Sequence, residues 1–113
     1  MLPPLIKKAD KPERRLRSPK HLKWVRDHHC CVPGCHAVPI EAAHVRSGTD
    51  GGTGMKPSDC YTISLCRGHH AEQHQIGERA WELMHDVDMR ALAVAFAAKS
   101  PDSKVRASIA TKE

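Results

Sequence analysis

The chain has 113 residues and a net charge of +5, from 18 Lys+Arg against 13 Asp+Glu with its nine His counted as neutral. One Phe, one Tyr and two Trp leave a single small domain few large anchors for a core, and no stretch approaches the ~20 apolar residues of a membrane span. The start, MLPPLIKKADKPERR, lacks the apolar segment of a secretory signal, so a cytoplasmic location is expected; disulfides are then not expected, and five Cys with nine His read as metal or catalytic groups.

Residues 1–17 are polar, Pro-punctuated and aperiodic, and read as a disordered arm. Residues 1–26 carry nine basic and two acidic groups, net +7; residues 27–113 carry nine basic and eleven acidic groups, net −2. A basic arm containing Arg14, Arg15 and Arg17 on a near-neutral body suits a polyanion, nucleic acid first, or else a solvated tail. Ser18-Pro19 predicts a helix start, with Ser as N-cap and Pro at the first helical position, running to about Asp27 with Leu22 and Val25 on one face. Cys30 to Cys35 is a tight turn on Pro33-Gly34. Val38 to Val45 has strand character, with Pro39 placing its start at an edge. Residues 46–60 are a Gly-rich loop, and Tyr61 to Leu65 a second strand. Helices are predicted from about Arg67 to Gln75, stopped near Gly77, then from Glu78 to Met84, and from Met89 to Ala98 behind an Asp88 cap. Residues 99–113 read as a loose tail, leaving one α+β domain over 18–98.

Two Cys/His pairs have structural-zinc spacing. Cys30 and Cys35 flank the turn; Cys66 and His69 lie three apart at a helix start, so both can point to one side. Together they form a Cys3His set that suits tetrahedral zinc, and Cys31 fits in place of Cys30. Such an ion would tie the ends of the hairpin and supply folding free energy the core lacks. Cys60 reads as a thiol without a role. His70 and His74, four apart, share a helix face distinct from that of His69; they form either a divalent-ion chelate or an exposed polar face. Ala71 after His70 excludes the HExxH pattern, and Pro57 after Lys56 excludes a P-loop. His44, at the end of the first strand, is a candidate proton acceptor that the hairpin would bring toward the helix. Arg46, two residues on, lies on the same strand face and could hold a phosphate.

The run AHVRSGTDGGTGMKPSDCYTISLCRGHHAEQH resembles the HNH (ββα-metal) endonuclease family, in particular small phage and prophage members such as the YbcO-like nucleases and the nuclease domain of Ref-type, RecA-dependent nucleases. The likeness covers residues 20–98 in layout and is most specific from His44 to His74. It implies a zinc-stapled ββα fold with an added N-terminal helix and C-terminal helices. It implies that Cys30, Cys35, Cys66 and His69 hold structural zinc, favouring Cys30 over Cys31. His44 would then be the general base, and His70 and His74 would hold a catalytic divalent ion (Mg2+, Mn2+, Ni2+ or Zn2+) or the scissile phosphate. The implied reaction is phosphodiester hydrolysis in DNA, with Arg46 and Lys56 on backbone phosphates. The arm would add salt-sensitive affinity. Partners in phage DNA processing or recombination, and a homodimer, are consistent with that role. The sequence departs from the family at Ala43, where many members carry a ligand, and at Tyr61 or Thr62, where the middle Asn belongs. Asp59 is the expected substitute ligand or positioning group, unless it only caps a turn. A noncatalytic zinc-stabilised nucleic-acid-binding module is the alternative.

Overall fold

A computed structural model describes residues 1–5, 15–51 and 55–112. An antiparallel hairpin of β1 (Ile40–His44) and β2 (Thr62–Cys66) lies at the centre. Among the described residues five helices surround it: α1 (Pro19–Arg26), α2 (Arg67–Ile76), α3 (Glu78–His85), α4 (Met89–Ala98) and α5 (Ser103–Lys112). The class is α+β, as the sequence predicts. No helix among the described residues is long and apolar enough to cross a membrane.

The register pairs Ile40 with Cys66 and His44 with Thr62. Every residue of β2 is buried. Along the other strand the period of two is visible: Ala43 and Val45 are buried, whereas Ala42 and His44 are half-buried on the opposite face. Helix α1 packs on both strands and α4 packs on β2. Both helices start at the caps the sequence offers. Ser18 Oγ accepts from the His21 N–H (3.1 Å) ahead of Pro19, and Asp88 Oδ1 accepts from the Ala91 N–H (3.0 Å). Helix α2 springs directly from the hairpin, with Cys66 as its N-cap, and stops at Gly77, whose φ of +88° suits only glycine well. Helix α3 follows at once and turns Trp81 into the core.

Two apolar clusters result. Ala43, Val45, Ile63 and Leu65 of the hairpin region meet Trp81, Met89 and Ala93. Cys60, Tyr61 and Ala97 meet Val105 and Ile109 of α5.

Two expectations need correction. The C-terminal stretch is not a loose tail: Val105 and Ile109, four apart, bury one face of α5 against Cys60, Tyr61 and Ala97. Nor does the whole arm stand apart from the domain. Residues 15–18 pair with the Gly-rich loop, where Leu16 N–H donates to Ser58 Oγ (3.1 Å) and Asp59 N–H donates to Leu16 O (2.9 Å). Residues 6–14 of that arm, Arg14 included, lie outside the described residues.

Ile109 is 4 % exposed, so Ile109→Ala should lower unfolding stability by about 2–5 kcal/mol. Urea denaturation checks this; a loss below about 0.5 kcal/mol, the range of surface changes, would show that α5 is not part of the core.

Candidate functional site

The turn before β1, the end of β2 and the first turn of α2 bring four ligand side chains together. Val32, Pro33, Gly34 and Cys35 form a turn with Cys35 N–H on Val32 O (3.0 Å); Gly34, at φ +78°, takes the left-handed position of a type II turn behind Pro33. Cys30 Sγ lies 3.4 Å and Cys66 Sγ 3.2 Å from His69 Nδ1, and Cys35 Sγ lies 3.9 Å from Cys66 Sγ. All four ligand atoms fall within 4.8 Å of one another. Tetrahedral zinc at its usual bond lengths requires S···S of about 3.8 Å and S···N of about 3.6 Å. The Cys3His set therefore has the chemistry and the spacing of a structural metal site such as zinc. Burial pushes the Cys30 thiol up to about 11; a bound cation would favour the thiolate instead. Cys31 turns away, its Sγ 3.4 Å from Ser64 Oγ, and Cys60 is buried in the second cluster.

A separate groove of about 950 Å³ runs along the β1–α2 side. His44 and Arg46 line it from the strand, His70 and His74 from α2, Lys56 from the loop, and Arg26 from α1. The three histidines thus face one space. Each wall has a carboxylate behind it. Asp59, 2 % exposed, accepts from His44 Nε2 (2.8 Å) and Arg17 Nη1 (3.1 Å) through Oδ1, and from Ser18 N–H (2.8 Å) through Oδ2. Burial alone would raise its pKa, but these three donors outweigh burial and hold it at about 2. Against an ionised Asp59, His44 Nε2 is the donor of this hydrogen bond. On the other wall Glu41 Oε1 accepts from His70 Nδ1 (2.8 Å), and Arg67 Nε lies 3.3 Å from Glu41 Oε2. The His70 hydrogen bond, with help from Arg67, holds Glu41 below the usual carboxylate range. His70 Nε2 then faces His74 Nε2 at 3.1 Å. That spacing matches two cis ligands of one octahedral ion, which lie about 3.0 Å apart for bonds near 2.1 Å; the two nitrogens can share a proton or a cation.

Asp59 therefore stands behind His44 and not beside His70 and His74; Glu41 is the carboxylate that reaches α2. Ala43 is buried in the core. Among the described residues, groups of three or more metal-ligand atoms within 4.8 Å occur only in the Cys3His set and in His69, Glu72 and His85, so the groove itself offers two such ligands. Arg17 is committed to Asp59 and to the Lys56 and Pro57 carbonyls, and Arg15 Nε donates to Asp50 O (2.7 Å); both brace the loop. Arg46 Nη1 donates to Met55 O (2.9 Å), and the backbone N–H groups of Arg46 and Ser47 donate to Glu78 (2.7 and 2.8 Å). Glu78, the first residue of α3, so fastens the strand end to the α2–α3 joint. Its opening position in a helix gave no sequence signal for that contact.

A hairpin and helix joined at a Cys3His cluster and bordering a histidine-lined groove define the class of domain. Residues 6–99 match the DUF968 family, described as a protein of unknown function, and the chain belongs to that family. It is 36 % identical over 62 residues, 54 % of this chain, to uncharacterized protein YdfU of Escherichia coli (strain K12), of which the match spans 17 %. No solved structure matches the chain.

The depressed Asp59 value fixes a sign. Its pKa lies below that of the unfolded chain, so the stability it contributes is present above pH about 4 and is lost as pH falls toward 2. Asp59→Asn should remove about 2 kcal/mol at pH 7 and flatten the stability profile between pH 4 and 2. Urea melts across that range check it; a variant profile parallel to the parent's would contradict the assignment.

Proposed function

We propose that the chain is a metal-dependent endonuclease of the HNH (ββα-metal) type that hydrolyses phosphodiester bonds in DNA. The observation that carries this reading is the single groove in which His44, backed by Asp59, stands across from His70 and His74, backed by Glu41. The β1–loop–β2–α2 order supports the same pattern.

His70 and His74 are the residues that would hold the catalytic ion. Once bound, a divalent ion would polarise the scissile phosphate and stabilise charge on the leaving oxygen. His44 takes a proton from the attacking water at Nδ1. Asp59, ionised over the whole physiological range, holds the ring in the tautomer that leaves Nδ1 open and stabilises the imidazolium that forms. Lys56 and Arg46 carry positive charge at the groove wall, where it suits the phosphates flanking the scissile bond. Arg26 adds a third cation from α1. The products of such a reaction are 5′-phosphate and 3′-hydroxyl ends, and a site of this kind cuts duplex through two successive nicks or as a homodimer. A role in phage or prophage DNA processing or recombination follows from the same resemblance.

A second reading is a noncatalytic zinc-stabilised nucleic-acid-binding module. The observation in its favour is that, among the described residues, the groove brings only two metal-ligand atoms together, those of His70 and His74.

Nicking of supercoiled plasmid with Mg2+, Mn2+ or Ni2+, with and without EDTA, separates the two. His44→Ala should lower the nicking rate by about 10²–10⁴-fold with zinc content and circular dichroism unchanged, and with a lower melting temperature because Asp59 loses one of its three donors. A variant that nicks as fast as the parent, or a parent that binds DNA and never cuts, refutes the nuclease and leaves the binding module.

A further inference from the structure

The residues of α3 that face the Cys3His set are not used by the groove. His69 turns Nδ1 to the sulfurs of Cys66 and Cys30 (3.2 and 3.4 Å). Glu72, three residues further along α2, lies on the same helix face. His85, at the C-terminal end of α3, places Nε2 on Glu72 Oε1 (2.5 Å). Its ring meets that of His69 edge-on, with centroids 5.0 Å apart, and lies 4.7 Å from that of Trp81. One ligand atom each of His69, Glu72 and His85 falls within 4.8 Å of the other two. Trp81 is fully buried and its indole N–H lacks a hydrogen-bond partner.

We infer that Glu72, fixed by His85, is the outer-shell carboxylate of the Cys3His metal site: it takes the Nε2–H of His69 and so locks the tautomer that offers Nδ1 to the ion. A metal-ligating histidine commonly donates its other ring N–H to a carboxylate, a backbone carbonyl or water, and Glu72 is the carboxylate nearest to hand. A neutral imidazole can ligate through Nδ1 only if its proton sits on Nε2, and a carboxylate beyond Nε2 holds that proton there and raises the basicity of the ligating nitrogen. His85 keeps the long Glu72 side chain from swinging into solvent, and the Trp81 ring walls the pair off from the core side. Helix α3 thereby acquires a purpose beyond covering the hairpin: its His85 and Trp81 hold the α2 carboxylate that sets how tightly the metal is held. The alternative use of the same three residues, an ion of their own, would need His69 to bridge two cations through a doubly deprotonated ring. Glu72 and His85 are positioning residues in this account. The inference rests on the Cys3His site and is independent of the nuclease reading.

The test measures zinc affinity on the full chain, not cleavage. The zinc-loaded protein is titrated with a chromophoric chelator, and the Co2+-loaded protein is followed by its visible and thiolate charge-transfer absorption. Glu72→Gln keeps size and shape while removing the charge; His85→Gln removes the anchor. Both should weaken zinc binding, Glu72→Gln by about 10–100-fold, with the Co2+ spectrum still that of three thiolates and one imidazole. Full metal loading of the variant at high zinc, with the parent's circular dichroism, separates a loss of affinity from a failure to fold. Parental zinc affinity in Glu72→Gln overturns the inference. So does loss of one whole metal equivalent with unchanged affinity at the other, because Glu72 and His85 would then hold an ion themselves. A parent that takes up no zinc removes this inference and the clamp together, and leaves the groove untouched.

Discussion

One contact set governs the rest of the molecule: three sulfurs and one imidazole converging on a point between the turn before β1, the end of β2 and the first turn of α2. These segments come from residues 30–35 and 66–69, some thirty positions apart in the chain. The apolar core that could hold them without help is small, because few large side chains are available and, among the described residues, Trp81 is the only Phe, Tyr or Trp in the set of largest fully buried side chains. A structural Cys/His zinc site contributes about 10–16 kcal/mol in small domains, comparable with the whole stability of an ordinary domain. By that comparison a metal held at this cluster would outweigh any single packing contact. Cys66 ends β2, caps α2 and belongs to the Cys3His cluster, so the cluster sits where the helix that carries His70 and His74 leaves the sheet.

The groove is built by a different device. Each histidine wall is backed by a carboxylate from a distant part of the chain, Asp59 behind His44 and Glu41 behind His70. Asp59 is in turn held by the N-terminal segment through Arg17 and the Ser18 backbone. Ser18 reaches onward to Asp102, ahead of α5, and Lys112 at the end of α5 pairs with Asp50 in the Gly-rich loop (3.1 Å). The basic segment, the loop and the last helix therefore form one brace behind His44. Inside the loop, Gly51 sits so close to Pro57 that a Cβ would lie 2.7 Å from its ring, which explains glycine there by contact and not by flexibility.

Much of this was legible in the sequence, for physical reasons that differ by element. The caps Ser18 and Asp88 and the stop at Gly77 are local chemistry, and local chemistry reads directly. The Cys/His pairs read from spacing, because a turn and one helical turn each impose a fixed separation on two ligands. Helix α5 did not read, since only Val105 and Ile109 mark its buried face; the signal was there in Asp102, whose carboxylate accepts the Lys104 N–H (2.9 Å) as a cap would. The arm was misjudged at its end because charge suggests solvation. Arg15 and Arg17 instead meet backbone carbonyls and the carboxylate of Asp59, partners that composition does not reveal. Asp59 stands behind His44 and not beside the helix histidines, and Glu41 reaches His70, for the same reason: which carboxylate reaches which histidine depends on how the loop closes, and no periodicity encodes that.

Zinc K-edge X-ray absorption on the metal-loaded protein tests the central claim most directly. Three sulfurs at about 2.3 Å and one nitrogen at about 2.0–2.1 Å are the shell that Cys30, Cys35, Cys66 and His69 must give, and this shell should revert to an incomplete one in Cys35→Ser. A shell of oxygen and nitrogen alone, or of four sulfurs with Cys31 recruited, would contradict the arrangement on which the hairpin, the helix and the groove all depend.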